Sequence, residues 1–504
     1  MAMTRRGFVR RTGAAAVGGL VNALAPGSAP AAGPSSPVLK SDCKKNQKFM
    51  NWSETVKFTP NRYCKPTTEQ RVKDIVNEAL ASNPKTRVRT VGNGHSFSQL
   101  VATPDTLVSL KELKTPAPVF NGNRVTVPAG MSIADVIKTL KQHTPSLGFK
   151  NLGSITAQSI AGAIATGTHG TGVTLGSLST QVVGIRLIDG QGNARTYTDA
   201  SAGDYLSAAQ VSLGALGVVT EVTLDCVPCY RLEFTACLTS FDSMLNNLDS
   251  LVQNNTRVTL WWFLEPGFLR HKVVIMTKNP VAGACGTRTQ VLEDPYALYR
   301  RMSARPRDLS LLHTLLRPAA RASAGQEMKK CLHFKADYDK VLTWWSPLWK
   351  TKYHRECEYA IPADPEDPAD PKPTFKTAVE ALKAFKRVVD ESDLSFVPVE
   401  VRFMAKDNVL LSPAFERNVC YIGASSITCG VPLLRRDNYP EIFTRFEPIM
   451  REHGGVPHWG KIFSLTRDDV KELYPGRYKK FTDVRDELDP DRIFSNTMLD
   501  ELFP

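Results

Sequence analysis

The stretch NLGSITAQSIAGAIATGTHGTG, residues 151–172, decides how the rest of the chain is read. Its last six residues, GTHGTG, place three glycines around His169, and VGNGHSFSQL at 91–100 does much the same, with Gly92 and Gly94 leading into His95. Glycines in such loops admit positive φ angles and let the backbone approach a ligand closely. Consecutive exposed amides also form a concavity suited to phosphate oxygens, which points to a phosphorylated cofactor. The common phosphate motifs do not explain it. GNGHSF lacks the third glycine of the dinucleotide fingerprint and opens no helix, and no GxxxxGK[ST] occurs. A GxSxG elbow is absent too, which argues against a serine esterase or lactonase.

Working outward, TTEQRVKDIVNEALASN from Thr67 carries Val72, Ile75, Val76, Ala79 and Leu80 at helical spacing behind a Thr cap, and TRVRTVG then alternates as a strand. RVTVPAG reads as a second strand and SIADVIKTLKQH as a helix capped by Ser132. VVGIRLIDGQGNARTYT has hairpin character, with Asp189-Gly190 and Gly192-Asn193 at the turn. LGALGVVTEVTLDCVP is expected to close this half as one apolar strand near Pro228. Beyond it the composition shifts to Trp, Arg and Pro, marking a second lobe; 504 residues suit two lobes better than one core. ADPEDPADPKP (363–373) is a loop, and TFKTAVEALKAFKRVVDE after it is a helix.

The net charge is +13, of which Arg5, Arg6, Arg10 and Arg11 supply four. Residues 1–31 have the three parts of an export signal, ending in Ala29-Pro30-Ala31, and Arg5-Arg6 resembles a twin-arginine leader. The expectation is an exported, periplasmic or extracellular protein; a mitochondrial transit peptide is the alternative. Residues 32–57 read as a polar lead-in. A basic chain suits an anionic ligand or membrane surface as well as nucleic acid, but no nucleic-acid-binding signature is present, so no nucleic-acid partner is expected. Arg300, Arg301, Arg305, Arg307, Arg317 and Arg321 within 295–321 would suit peripheral membrane contact, or a solvated helical face. Ten cysteines are scattered, and their spacing does not choose a pairing. Cys226-Val227-Pro228-Cys229 lacks the second pair a zinc site needs, so no metal is expected and both cysteines read as ordinary.

VGNGHSFSQL, NLGSITAQSIAGAIATGTHGTG and LGALGVVTEVTL, in this order, resemble the FAD-binding domain of vanillyl-alcohol-oxidase-type flavoproteins, and more narrowly the sugar-lactone oxidases, gulonolactone and arabinonolactone oxidases among them, with their alditol oxidase relatives. PVEVRF, LLSPAF, PHWGKIF and ELDPDRIFSNTMLDELF are similar to the same family. The resemblance runs from about Asn51 to Phe503. It implies an α+β, two-lobed fold, with an FAD-binding domain at 58–228 and a substrate domain at 229–504 whose C-terminal segment returns to the cofactor cleft.

The resemblance also assigns residues. Gly92, Asn93, Gly94, His95, Ser96 and Phe97 would meet FAD, with His95 bonded covalently to the flavin. Gly153, Ser154, Ser159, Gly162, Ala163 and Thr166 follow, then Thr168, His169, Gly170 and Val218. His169 would pack on the cofactor rather than move protons. Gly153 would leave room for oxygen at the flavin, favouring an oxidase that makes hydrogen peroxide over a dehydrogenase using a quinone or cytochrome. Ser154 would also touch substrate.

FVPVEVRFMA alternates, so Val397, Val399, Val401 and Phe403 face one way and Glu400 and Arg402 the other. Alone this reads as a surface ion pair; the apolar neighbours and the match to the family's ExR strand reverse that reading in favour of a site. Oxidising a hydroxyl requires removal of its proton while a hydride departs. Arg402 and Lys461 would favour the alkoxide, and Glu400 would orient substrate hydroxyls and accept the proton. Lys461 and, more weakly, His458 follow from the HWxK motif. His354, before RECEYAIP, reads as structural. The implied substrate is an aldonolactone, the alternative an open-chain polyol, and a non-catalytic sugar-binding protein of the same fold is the remote one.

Overall fold

A computed structural model describes residues 42–113, 116–264, 270–293, 331–343, 354–365, 372–392, 399–427 and 439–504. The segment read as an export signal, the arginines of 295–321, Val397 and most of the Pro- and Asp-rich loop lie outside the described residues, as does the side chain of His354.

The glycine loops belong to a half built on two sheets. In the first, Cys43–Lys45, Arg62–Cys64, Thr106–Ser109 and Val88–Val91 lie side by side, the last three mutually parallel. Val88–Val91 runs directly into Gly92, which fixes where the first glycine loop emerges. In the second sheet Ala194–Thr198, Val182–Ile188, Val218–Asp225, Arg124–Pro128 and Val119–Asn121 are antiparallel. The helix expected after Thr67 runs Glu69–Leu80, with the Thr68 hydroxyl accepting from Arg71 N, and buries Val72, Ile75, Val76 and Ala79. Ser132 caps Ile133–Gln142 by accepting from Asp135 N at 3.1 Å. At the hairpin tip Asp189 Oδ1 accepts from the amides of Gln191 and Asn193, and Gly192 takes φ +78°.

Three local expectations are corrected. The apolar run near 213–228 is not one strand: Gly214 and Gly217 have positive φ, pairing begins at Val218, and Val227–Pro228 pairs separately with Leu147–Gly148. The segment read as lead-in is structured from Cys43, and it buttresses the first glycine loop. The cysteines of the CxxC also differ from each other. Cys229 is bonded to Cys285 while Cys226 is a buried thiol; Cys43–Cys64 and Cys237–Cys331 are the other described disulfides.

The second half is a nine-stranded sheet in the order Gln290–Glu293, Leu332–Asp337, Arg231–Ser240, Lys272–Val281, Val258–Trp262, Val399–Met404, Val419–Ile427, His354–Pro362, Val456–Pro457. Alternation divides its two faces. Leu260, Trp262, Val399, Val401, Phe403, Ile422, Cys357 and Tyr359 join one buried cluster with Phe385 of the helix Lys376–Asp390 and Phe446 of Tyr439–Glu452. Each such large apolar side chain contributes roughly 1.5–3 kcal/mol on burial. That face anchors the sheet. The opposite face carries Glu356, Glu358, Glu400 and Arg402 towards the glycine loops.

Candidate active site

Register brings together residues far apart in the chain. Arg402 pairs with Tyr421 on one side and Thr259 on the other, Glu400 with Gly423 and Trp261, and Gly423 with Glu358. Three loops then close over this face. GTHGTG docks through Gly172 N, which donates to Phe403 O at 2.6 Å, and through Thr171 Oγ1, which donates to Val258 O and accepts from Phe403 N. The 458–461 loop docks on the strand His354–Pro362, His458 N donating to Glu358 O and Ile462 N to Glu356 O. The His95 loop is tied by Phe97 N, which donates to Gly460 O at 2.8 Å.

A cavity of about 410 Å³ lies between them. Its charged lining is Glu356, Glu358, Glu400, Arg402 and Lys461, with His95, His169 and His458 around it. Arg402 Nη2 donates to Glu358 Oε1 at 2.5 Å, Nη1 donates to His169 O at 3.3 Å, and Nε lies 3.5 Å from Glu400 Oε2. Lys461 Nζ donates to Glu356 and stands 3.9 Å from Glu358 Oε2. Trp261 Nε1 donates to Glu400 Oε1 at 3.4 Å.

Burial works against the Glu358 carboxylate, but Arg402 above all, with Lys461, outweighs it and holds its pKa well below the usual carboxylate range. Burial likewise opposes the Arg402 charge, and Glu358, Glu400 and Glu356 overcome it, so Arg402 stays cationic. The imidazoles go the other way. Burial brings His458 down to about 3 and His95 to about 4, and lowers His169 as well, so all three are neutral at ordinary pH. His169 Nδ1 faces the Gly170 carbonyl at 3.0 Å and must donate there, which leaves Nε2 as an acceptor 3.5 Å from Glu358. His169 Nε2, Glu358 Oε2 and Arg402 Nε are buried with no hydrogen-bond partner among the described residues, three orphaned polar atoms beside one cavity.

His95, Ser96, Gln158 and Thr166 line both this cavity and a second cleft, which continues past Gly92, Asn93, Gly94, Ser159 and Gly162. The second cleft fits a pyrophosphate. No backbone acceptor among the described residues takes the amides of Asn93 through Ser96. Gly94 has φ +67°, and a Cβ on Gly92 would lie 1.7 Å from Ser159 Oγ, so only glycine allows this cradle. A single extended dinucleotide suits the joined clefts. The cradle is braced by residues outside the expected set: Asn51 Nδ2 donates to Ser96 O, Trp52 N to Gly94 O, and the Trp52 ring stacks on His95 with centroids 5.3 Å apart.

Of the expected residues, Phe97, Gly153, Ser154, Thr168, His169, Glu400, Arg402, His458 and Lys461 line the cavity. Ala163, Gly170 and Val218 line neither cleft. Ala163 faces the core of its short helix, a Cβ at Gly170 would strike Asn151 Oδ1 and Leu152 O, and strand alternation turns Val219 rather than Val218 to the cleft. At Gly153 a Cβ would lie 3.0 Å from His169 O and 3.3 Å from Thr168 Cγ2, so this glycine also serves close packing of two loops. His169 sits inside the charged cluster, stacked on Tyr421 at 3.7 Å. Sequence reasoning missed Glu356 and Glu358. Their signal was alternation: in RECEYAIP they share a face, opposite Cys357, Tyr359 and Ile361.

The fold and the joined clefts define an FAD-dependent class, and the comparisons agree. An FAD-binding domain matches residues 60–198, and the D-arabinono-1,4-lactone oxidase family matches residues 222–502. The chain is 30% identical to the L-gulonolactone oxidase of Bos taurus, covering 91% of this chain and 99% of that protein. It is 32% identical to the L-gulono-1,4-lactone dehydrogenase of Mycobacterium tuberculosis, with 89% and 97% covered. A cholesterol oxidase from B. sterolicum superposes with a TM-score of 0.69 at 18% identity, over 94% of this chain and 99% of that one, which shows the fold alone. This chain belongs to the D-arabinono-1,4-lactone oxidase family.

Proposed function

We propose that the protein oxidises the hydroxyl next to the carbonyl of an aldono-1,4-lactone, with oxygen as electron acceptor and hydrogen peroxide as product. The observation that carries this reading is the meeting of three carboxylates and Arg402 on one sheet face with Lys461 from the loop over it, in a cavity continuous with the glycine cradle. Bound FAD would supply the hydride acceptor. The cradle from Gly92 to Ser96, with Ser159, would hold its pyrophosphate, and the neutral His95 imidazole, where the two clefts join, would bond covalently to the flavin. A neutral nitrogen is what that attachment requires.

The remaining work falls to side chains. Arg402, charged and only 11% exposed at its side chain, stabilises an alkoxide oxygen in a site of low effective dielectric. Glu400 is less tightly paired than Glu358 and takes the hydroxyl proton. Glu356 and Lys461, held to each other, orient the lactone's other hydroxyls, and Ser154 adds a hydroxyl to the lining. His169 and His458, both neutral, shape the cavity and offer hydrogen bonds without adding charge.

Relatives named oxidase and dehydrogenase resemble this chain about equally, so the acceptor is a separate question. Gly153 supports oxygen, because it lines the cavity without putting a side chain there. The three described disulfides support export, because such bonds persist in oxidising compartments. Oxygen uptake and peroxide release, measured with lactones and alditols side by side, test the reading. Turnover of alditols alone would overturn the substrate class, and flavin reduction without reoxidation in air would overturn the acceptor.

A further inference from the structure

Lys278 stands outside every role assigned above. It lies on the strand Lys272–Val281, opposite Phe234 of Arg231–Ser240, and is only 5% exposed. Its described hydrogen bond goes to Thr259 Oγ1 at 3.4 Å. Thr259 pairs with Arg402 across the next strand boundary, and Trp261, two residues along, pairs with Glu400 and donates to its carboxylate. The lysine therefore sits on the active-site face of the sheet, one strand behind the reacting groups, and does not line the cavity. A buried ammonium without a contacting carboxylate is costly. The cavity's formal charges make its presence intelligible. Glu356, Glu358 and Glu400 bring three negative charges, and Arg402 and Lys461 bring two positive ones.

We propose that Lys278 is a positioning residue of the reaction, a buried cation that faces the carboxylate cluster from behind and holds the Glu400–Arg402 pair in its working arrangement. The inference rests on the proposed function. The charged groups acting on Lys278 are Glu400, which favours its ammonium, and Arg257 and Arg402, which oppose it; Phe234 and Met276 flank it without charge. Burial is the largest influence and brings its pKa from 10.5 to about 8.

The sign follows from linkage. A lysine whose pKa falls on folding adds stability above its unfolded value, and that contribution is lost as pH falls through about 8. At pH 7 the buried charge therefore costs stability. Lys278→Met in the flavin-loaded enzyme should raise the unfolding midpoint at pH 7 yet lower kcat/KM for a lactone by about tenfold, equivalent to about 1.4 kcal/mol of transition-state stabilisation. The wild type should lose kcat/KM above about pH 8, and Lys278→Arg should move that limb to higher pH. A lysine that merely packed would lose stability on truncation and leave the pH profile alone. Wild-type kcat, KM and pH profile in Lys278→Met would overturn the inference. Should that variant not fold, an unmoved alkaline limb in Lys278→Arg would overturn it. A wild-type enzyme inert to every lactone overturns the proposed function itself, whereas an active wild type with an indifferent Lys278→Met overturns only the inference.

Discussion

The Glu358 carboxylate accepts a hydrogen bond from the Arg402 guanidinium at 2.5 Å, although 44 residues separate them in the chain. The pair is nearly enclosed, and neither member can be removed without leaving the other's charge buried. Glu358→Gln should lower stability by about 3 kcal/mol, the usual cost of breaking a buried pair, and depress turnover with it. Chemical denaturation of the two proteins measures the first, and unchanged unfolding would show that Arg402 finds another counter-charge.

Because its pKa is held well below the ordinary carboxyl value of 4.5, Glu358 contributes stability that is complete above that pH and lost as pH falls further. The buried histidines add a second acid-sensitive window. His458 and His95 titrate near 3 and 4 in the folded chain against 6.5 in the unfolded one, so the unfolded state binds more protons across that interval. Stability should decline from about pH 6.5 downward, as unfolding midpoints across that range would report. A midpoint independent of pH between 4 and 6.5 would mean these imidazoles are not buried neutral.

Arg402→Lys should reduce kcat by roughly 10²–10³-fold, the range for loss of a preorganised donor. Lysine keeps the charge but lacks the planar fork that reaches Glu358, the His169 carbonyl and Glu400 together. Steady-state kinetics with a lactone decides it, and a variant retaining wild-type kcat would remove Arg402 from the transition state.

Reducing the Cys43–Cys64 disulfide should loosen the support of the His95 loop, since Asn51 and Trp52 lie within the 21-residue span that it closes. The expected cost is about 3 kcal/mol. Thermal unfolding of Cys43→Ser against the wild type, both flavin-loaded, would show the difference.

Much of this site was legible where chemistry follows local pattern. The alternation of VEVRFM placed Glu400 and Arg402 together, and the glycines of 92–94 marked the cradle. Glu356 and Glu358 had the same alternation, but what makes them functional is register, through the strand Val419–Ile427, with Glu400 and Arg402, and spacing along the chain carries no register. Asn51 and Trp52 lay in a polar stretch without periodicity, and their role arises only when Trp52 meets His95 in space. Disulfide pairing was unreadable for the same reason: Cys237 and Cys331 are 94 residues apart.

His95 joins the two clefts, and the covalent proposal turns on it. Acid denaturation should leave the yellow colour with the polypeptide, on the peptide containing His95, and His95→Ala should release its flavin on the same treatment. Colour lost from the wild type would remove the covalent role while leaving the cradle.

The most direct test of the whole account is anaerobic mixing of the flavin-loaded protein with an aldono-1,4-lactone, following the flavin absorbance. The account predicts rapid bleaching in the wild type and a rate at least about a hundredfold lower in Arg402→Lys. A loaded wild-type protein whose flavin stays oxidised with every aldonolactone offered would contradict it.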